Sequence, residues 1–258
     1  MKKIIKYILL GIFGERRSTQ YREYSNLQIV KLRYYFNKKK KISHSFEDWK
    51  NKSQIGELDF HMSEDSISWR HSKDFREHSQ RLFENFELYA SDWEGKTVLD
   101  LGAGSMLRTK YFNKSNLIAI EPLGEQFVKN ISGTDLNNCT LYSVPAEQFI
   151  EELDSKIDLL VSINVLDHCY EFKTIINNIY KYLKDDGLGF LSFDEHYSTD
   201  EMHPLILNEE IVSEILISNG FLIKKITRGF GKEKNYLGAR LDSYGHAVKC
   251  LNFYITKK

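Results

Sequence analysis

The chain has 258 residues, 36 basic against 36 acidic side chains, and a formal net charge of zero. A chain of this length can bury one substantial core and carry an appendage. Its cysteines, Cys139, Cys169 and Cys250, show no paired spacing, which argues against a disulfide framework or a zinc site and favours a reducing, cytoplasmic compartment.

Residues 1–58 form a basic arm. They carry 14 Lys and Arg against 5 Asp and Glu, a net charge of +9, which leaves −9 for the rest of the chain. Apolar residues at positions 4, 5, 8, 9, 12 and 13 fall on one side of a helix. This run is too short to cross a bilayer, which takes about 20 apolar residues. It also lacks an Ala-x-Ala cleavage signal, although a weak signal-peptide character stays open.

Three interpretations of the arm compete. Its apolar stripe packs on the main domain, or it lies on an anionic membrane surface with help from Lys38–Lys41. The third interpretation is nucleic-acid binding through Arg33–Phe36 and the adjacent lysines, although no RNA-binding motif is present. We expect peripheral membrane contact through residues 1–41 to be favoured over nucleic acid.

Residues 59–91 are predicted to form a helical lid or pre-domain segment before the main domain at 92–258. Between positions 75 and 89, one helical face is apolar. It consists of Phe75, Leu82, Phe83, Phe86 and Leu88.

A short apolar strand ends in Asp100 and breaks at once into a glycine turn at Gly102, Ala103 and Gly104. Glycines let backbone amides approach a ligand where a Cβ would clash. A dinucleotide fingerprint needs a third glycine, and that position is Leu107; the Gly-Lys-Ser/Thr of a P-loop is absent as well. A carboxylate beside the turn would repel a pyrophosphate, so Asp100 favours a cationic ligand.

Further buried strands follow at regular intervals. One runs into Glu121, and an acid at such a strand end can take both hydroxyls of a ribose. Helices are predicted between the strands, over 125–131, 146–154 and 172–183. Alternating strands and helices predict an α/β fold with a doubly wound, mostly parallel sheet.

The C-terminal part continues this pattern. We expect a helix from Asn208 to Asn219, capped by Asn208 and closed by Gly220. Two strands follow, over 221–227 and 246–255, and because no helix joins them they should pair as an antiparallel hairpin.

In order and spacing, five segments resemble the motifs of class I S-adenosylmethionine-dependent methyltransferases. They are the glycine turn at 100–104, the strand end at Glu121, and residues 143–149, 157–168 and 182–193. The resemblance covers roughly residues 92–258. It implies a Rossmann-like, seven-stranded sheet with an antiparallel C-terminal strand, the N-terminal segments forming a helical extension. The cofactor that it implies is S-adenosyl-L-methionine.

The resemblance also implies roles for individual residues. Pro145 departs from the family, in which many members carry an adenine-binding Asp, so that contact is expected to pass to the Ala146 amide or the Glu147 side chain. Trp69 or Arg70 would cover the adenosine or hold the methionine carboxylate, with packing as the alternative for Trp69. The full set of expected cofactor contacts is Asp100, Gly102, Ala103, Gly104, Glu121, Pro122, Ala146, Glu147, Asn164, Val165, Trp69 and Arg70.

Histidine is suited to accept a proton from the methyl acceptor, because its pKa lies near ~6.5. His168 and His196 follow predicted strands and are the catalytic candidates, while His203 and His246 can enter the same mouth. A metal site made from residues 194–196 and His203 is an alternative, but the spacing is irregular and we expect no metal. The other histidines are expected on the surface or in packing: His44, His61, His71 and His78.

The expected reaction is methyl transfer to an oxygen or nitrogen of a small-molecule or glycan acceptor, with surface polysaccharide assembly as the preferred context. Residues 195–207 and the cation-rich connection over 228–245 can form the acceptor pocket. Alternatives are an RNA methyltransferase and a non-catalytic module that docks through its basic arm. The oligomeric state stays open.

Overall fold

The computed structural model describes residues 29, 32, 35, 36, 41–229 and 250–258. The chain divides into two compact units, and the one formed by residues 41–227 and 250–258 carries the sheet and the site. The predictions for residues 1–28, for most of the 228–245 connection and for His246 lie outside the described residues. Among the described residues, no helix combines the length and apolarity needed to cross a bilayer.

The core of the unit is one seven-stranded sheet with the order β3-β2-β1-β4-β5-β7-β6. Its strands are β1 (Thr97–Leu101), β2 (Asn116–Ile120), β3 (Thr140–Tyr142), β4 (Ile157–Ile163), β5 (Leu183–Asp194), β6 (Phe221–Arg228) and β7 (Cys250–Lys257). Strands β1 to β5 pair in parallel, and β7 is antiparallel to β5. This arrangement confirms the predicted doubly wound sheet and its antiparallel C-terminal strand.

Helices precede and flank the sheet. They are α1 (Phe46–Asp48), α2 (Gln54–Met62), α3 (Glu64–His71), α4 (Lys73–Asn85), α5 (Gly124–Asn130), α6 (Phe172–Tyr182) and α7 (Glu209–Ser218). A π-helical segment, Trp49–Ser53, joins α1 to α2. Helix α2 runs unbroken through residue 58, so the expected boundary between arm and lid falls inside a helix.

The sheet is buried on both faces, as a parallel sheet between helices must be. In β1, Val98, Leu99 and Leu101 are fully buried, and β4 is equally apolar. Helix α4 contributes Phe75, Leu82 and Phe83 of the predicted apolar face before β1, and Phe86 and Leu88 follow its C-terminus; all five are buried.

The C-terminal helix forms as predicted. The side chain of Asn208 accepts a hydrogen bond from the Ile211 amide at 3.1 Å and so satisfies one of the unpaired donors of the first turn. Gly220 follows the helix with φ +90°, a conformation that side chains with a Cβ rarely adopt.

The helix predicted over 146–154 is wrong. The segment is an irregular loop that ends in a single 3₁₀ turn, Glu151–Leu153. Several of its backbone groups bond to side chains of helix α6, and the backbone bonds within the segment are limited to its last turns. Asn178 donates to the carbonyls of Ala146 and Glu147, and the Tyr182 hydroxyl accepts from the Ile150 amide. These tertiary bonds replace the local ladder that a helix needs.

Candidate functional site

A cleft of about 590 Å³ opens at the carboxyl ends of β1, β2 and β4. Strand order reverses between β1 and β4, and ligands of open α/β sheets bind at such a switch point. The lining residues are Trp49, Gln54, Glu57, His61, Gly102, Gly104, Ile120, Glu121, Pro122, Leu123, Phe127, Ala146, Glu147, Asn164, Val165, His168 and Cys169.

The glycine turn after β1 forms the floor of the cleft. Gly102 and Gly104 have φ values of +78° and +63°, which favour glycine. A Cβ on Gly102 would overlap the Val165 side chain, and one on Gly104 would lie 2.7 Å from Cε1 of His61. Ala103, by contrast, is buried in the hydrophobic cluster behind the turn and does not line the cleft.

Asp100 also does not line the cleft. Its buried carboxylate accepts a hydrogen bond from the Thr109 hydroxyl at 2.7 Å and braces the glycine turn from behind. Burial raises the pKa of Asp100 to about 6, although the bonds from Thr109 and the nearby Arg108 charge favour the ionised form.

Glu121 holds the end of β2 to the glycine turn. One carboxylate oxygen accepts from the Gly104 amide at 2.8 Å, and the other accepts from the Leu123 amide at 3.0 Å. Burial raises the pKa of Glu121 to about 7. Because a carboxylate oxygen can accept two hydrogen bonds, each oxygen retains one acceptor position.

Glu147 lines the opposite side of the cleft together with Ala146. Its Oε1 accepts from the amides of Tyr170 and Glu171 at 2.8 and 3.1 Å. Its Oε2 is buried, with no hydrogen-bond partner among the described residues. Burial raises the pKa of Glu147 as well. A buried acceptor without a donor is costly, so Oε2 is suited to a donor from a ligand.

The turn after β4 supplies Asn164 and Val165. Asn164 adopts φ +58° in the left-handed region, and its amide donates to the Ser192 carbonyl at 2.7 Å. This bond ties the turn to the end of β5, while Val165 packs onto Gly102.

Trp69 and Arg70 do not line the cleft. The Trp69 ring contacts the Phe75 ring at 5.0 Å, which is the packing alternative for this residue. The Arg70 guanidinium lies over aromatic rings of α2 and α4, and its Nε donates to the Ser66 hydroxyl at 3.2 Å. Burial lowers the pKa of Arg70, and the charges of Glu57 and Glu121 oppose that effect.

Sequence reasoning missed the wall formed by the N-terminal helices. Gln54, Glu57 and His61 lie at intervals of three and four on α2 and face the cleft. His61, expected on the surface or in packing, is buried there, and its Nδ1 lies 2.9 Å from the Ser105 hydroxyl oxygen. Burial lowers its pKa to about 3, so the ring is neutral. The signal that could have found this wall is the helical spacing of the polar residues Gln54, Glu57 and His61.

Three histidines gather around Asp167 at the rim of the cleft. Nε2 of His196 lies 3.0 Å from Oδ2 of Asp167, and Nε2 of His168 lies 3.9 Å from the same oxygen. The His203 ring contacts the rings of His168 and His196, with centroids 4.5 and 4.4 Å away. Among these, His168 reaches the cleft.

Carboxylates surround this histidine cluster. Oε1 of Glu57 lies 2.9 Å from Nδ1 of His168. Burial disfavours the charged imidazolium, but Glu57 and Asp167 outweigh it and raise the pKa of His168 to about 8. For Asp167, burial is opposed by His196 and the neighbouring imidazoles, which lower its pKa. Glu195, a member of the alternative metal set, instead accepts from the Tyr197 hydroxyl at 2.6 Å.

Comparison with known proteins finds a partial match to one family model. Residues 73–198 match the family model described as DREV methyltransferase. No curated protein matches the chain.

Several solved structures share the fold. An S-adenosylmethionine-dependent methyltransferase from Clostridium acetobutylicum aligns with a TM-score of 0.54 at 10% identity, over 79% of this chain and 98% of the other. A 1,6-didemethyltoxoflavin-N1-methyltransferase from Burkholderia thailandensis, bound to 1,6-didemethyltoxoflavin and S-adenosylhomocysteine, has a TM-score of 0.51 at 16% identity, over 80% and 88%. A TehB-like enzyme from Corynebacterium glutamicum has a TM-score of 0.51 at 18% identity, over 70% and 88%.

The buried Asp100 carboxylate makes stability depend on pH. Its pKa of about 6 in the folded state exceeds the ordinary value of 3.8, so the folded protein binds the proton more tightly than the unfolded chain. Asp100 therefore lowers the free energy of unfolding as pH rises from about 4 to 6. Asp100→Asn keeps an acceptor for Thr109 and removes the charge, and we expect a gain of about 3 kcal/mol at pH 8.

Urea unfolding at pH 4 and pH 8 measures this difference. The gain should vanish at pH 4, where the folded wild type is already protonated. An equal gain at both pH values, or a loss at pH 8, would contradict the assignment of the buried charge.

Proposed function

We propose that the chain is a class I S-adenosylmethionine-dependent methyltransferase, that its cleft binds the cofactor and that the histidine cluster receives the methyl acceptor. The cofactor supplies a methyl group on a sulfonium. The observation that carries the proposal is that Oε2 of Glu147 has no hydrogen-bond partner among the described residues. In the same cleft, each carboxylate oxygen of Glu121 accepts only one backbone hydrogen bond.

The described residues fit the cofactor. Each oxygen of Glu121 keeps one acceptor position, which matches the two hydroxyls of a ribose. Oε2 of Glu147 can accept from the adenine amino group, the contact that Pro145 cannot make. Between them, Pro122 and Ala146 offer apolar surface.

We place the methyl acceptor beside His168, away from the proposed cofactor contacts of Glu121 and Glu147. A hydroxyl or amine loses a proton as it takes the methyl group, and an imidazole can accept that proton. His168 and His196 are our proposed catalytic residues, with Asp167 orienting His196 through the 3.0 Å contact. What the rest of the site contributes is alignment and exclusion of water.

A small-molecule or glycan acceptor fits this arrangement. Hydroxyl-rich acceptors offer hydrogen bonds that a histidine cluster can answer, and the enclosed cleft suits a single sugar or base better than a folded partner. Two more specific hypotheses, a role in surface polysaccharide synthesis and an RNA acceptor, are both supported by the charge of the basic arm, residues 1–58.

Cofactor binding tests the first half of the proposal. Glu147→Gln keeps an oxygen for the two backbone amides. It replaces Oε2, the proposed acceptor for the adenine amino group, with an amide nitrogen that can only donate. We expect the Kd for S-adenosylmethionine to rise about 10- to 100-fold, because a hydrogen bond involving a charged group contributes about 1.5–3 kcal/mol. Glu121→Gln should weaken binding too. Isothermal titration calorimetry measures both.

The control is Glu125→Gln, an exposed carboxylate on α5 that should bind like the wild type. Because the ionised Glu121 is the better acceptor and its pKa is about 7, wild-type affinity should fall as pH drops below 7. That slope should be absent in Glu121→Gln. Unchanged binding in both variants would refute this placement of the cofactor.

Turnover tests the acceptor side. His196→Asn should lower kcat by about 10²- to 10⁴-fold, the usual contribution of a general base, and leave the Kd for S-adenosylmethionine within about twofold. The assay follows S-adenosylhomocysteine release with a panel of glycosides, nucleosides, amines and RNA. His71→Gln, an exposed histidine on α3, is the control. Loss of cofactor affinity without loss of kcat would contradict the acceptor role.

For residues 1–41 we propose peripheral contact with an anionic membrane on the cytoplasmic side, supported by their basic charge and apolar stripe. A chain that starts at residue 41 keeps the cleft wall and is the right truncation. We expect it to lose co-sedimentation with vesicles containing phosphatidylserine. If truncation instead removes a salt-dependent affinity for RNA, the nucleic-acid alternative gains support.

A further inference from the structure

We propose that Asp167, His168 and His203 bind a divalent transition-metal ion at the rim of the cleft. One ligand atom from each lies within 4.8 Å of the other two. Asp167 and His168 come from the turn after β4, and His203 comes from the loop after β5. The chain thus brings the three side chains together from two segments at one edge of the sheet.

His168 and His203 each have a carboxylate of another residue beside Nδ1, an arrangement that is common for metal-bound histidines. Nδ1 of His168 lies 2.9 Å from Oε1 of Glu57, and Nδ1 of His203 lies 2.9 Å from Oδ1 of Asp200. A carboxylate at Nδ1 keeps the proton on that nitrogen and leaves Nε2 with a free lone pair. In metal sites, such partners set the ring orientation and raise the basicity of the ligating nitrogen.

Unpartnered atoms mark the place of the ion. The Asp167 side chain is completely buried, and its Oδ1 has no hydrogen-bond partner among residues 41–229 and 250–258. Both ring nitrogens of His168 are also buried without a geometrically formed hydrogen bond, Nδ1 despite lying 2.9 Å from Oε1 of Glu57. Each orphan costs about 1–3 kcal/mol. A proton on His168 answers at most one carboxylate oxygen, whereas one cation satisfies the carboxylate and both imidazoles together.

His196 remains outside the ligand set. Its Nε2 lies at hydrogen-bond distance, 3.0 Å, from Oδ2 of Asp167, and its ring stacks on the His203 ring at an interplanar angle of 27°. The contact with His196 engages Oδ2 and leaves Oδ1 without a hydrogen-bond partner among the described residues.

The donors select the kind of ion. Two imidazole nitrogens and one carboxylate oxygen suit Zn²⁺, Co²⁺, Fe²⁺ or Mn²⁺ better than Ca²⁺ or Mg²⁺, which prefer oxygen. Bonds of about 2.0–2.2 Å place ligand atoms about 3.3 Å apart in a tetrahedron, so the side chains must close by about 1.5 Å. Three protein ligands leave a position open, as in catalytic sites.

The open position would bind the oxygen or nitrogen of the methyl acceptor, which is the one part of this inference that rests on the proposed function. A cation there lowers the pKa of a bound hydroxyl. With the ion bound, His168 is a ligand and not the proton acceptor of the proposed function. The hydroxyl proton leaves to solvent or to His196, and the new C–O bond forms as the C–S bond of the sulfonium breaks and S-adenosylhomocysteine is released. This site departs from the expectation of no metal. It shares only His203 with the alternative metal site that the sequence suggested from residues 194–196 and His203.

Cobalt binding tests the site directly. The full chain, without a histidine tag and after treatment with a chelator, is titrated with Co²⁺ and followed by its visible d–d absorption and by calorimetry. We expect one equivalent to bind with a four- or five-coordinate spectrum and to be displaced by Zn²⁺. His203→Ala and Asp167→Asn should weaken binding at least 100-fold, and His71→Ala should not.

Asp200→Asn tests the outer carboxylate on a largely exposed side chain, and it keeps an oxygen for the Met202 and His203 amides that donate to Oδ1. We expect a 10- to 100-fold loss of Co²⁺ affinity, the effect typical of outer partners. Circular dichroism and S-adenosylmethionine titration of each variant separate loss of the ion from loss of the fold or of the cofactor site. Equal affinity in His203→Ala and His71→Ala, or no absorption band in the wild type, would overturn the proposal.

Discussion

The contact between Gly102 and Val165 is the constraint on which the site depends. It joins the turn after β1 to the turn after β4 at a distance that leaves no room for a Cβ. The glycine turn thereby becomes the floor of the cleft, and the chain beyond Val165 is directed into the short helical turn, Leu166–His168. That turn buries Asp167 beneath the sheet edge while His168 reaches the cleft. One close packing contact therefore places both halves of the site.

Buried carboxylates are the second common feature, and their surroundings divide them into two kinds. Asp100, Glu121 and Glu147 are answered mainly by hydroxyl or backbone donors, and burial raises the pKa of each. Asp167 is surrounded by imidazoles, which lower its pKa. Carboxylates of the first kind lower the free energy of unfolding when they are ionised. Such carboxylates are common in ligand-binding sites. In the second kind, imidazoles answer one carboxylate oxygen, while Oδ1 stays without a hydrogen-bond partner among the described residues.

Local patterns in the sequence were sufficient for most of the fold. The strands, the Asn208 cap and the apolar face of α4 all follow from periodicity and capping chemistry, which act over a few residues. The helix over 146–154 failed because Asn178 and Tyr182, some thirty positions away, take its backbone groups. Propensity has no access to such a competitor.

The same division applies to the site. Motif spacing placed the glycine turn, Glu121, Glu147, Asn164, Val165 and His168 around one cleft. It did not reveal that Asp100 turns away to Thr109, because that depends on the conformation of the intervening turn. Nor did it reveal the wall from α2 or the approach of His203 to Asp167. Those contacts join segments whose spacing in the sequence carries no periodic signal.

The indole of Trp49 donates to the carbonyl of His168 at 2.8 Å, across 119 positions of the chain. Contacts of such long range reward the chain only after the entropy of closing the intervening loop has been lost. The sheet, whose neighbouring strands are much nearer in sequence, can form before this wall is in place. In kinetic terms, this contact costs more loop-closure entropy than the pairing of β1 with β2 or β4, so we expect the wall to close after those strands have paired. A polypeptide still emerging from the ribosome would hold all the residues of this wall before the histidine turn exists for them to pack against.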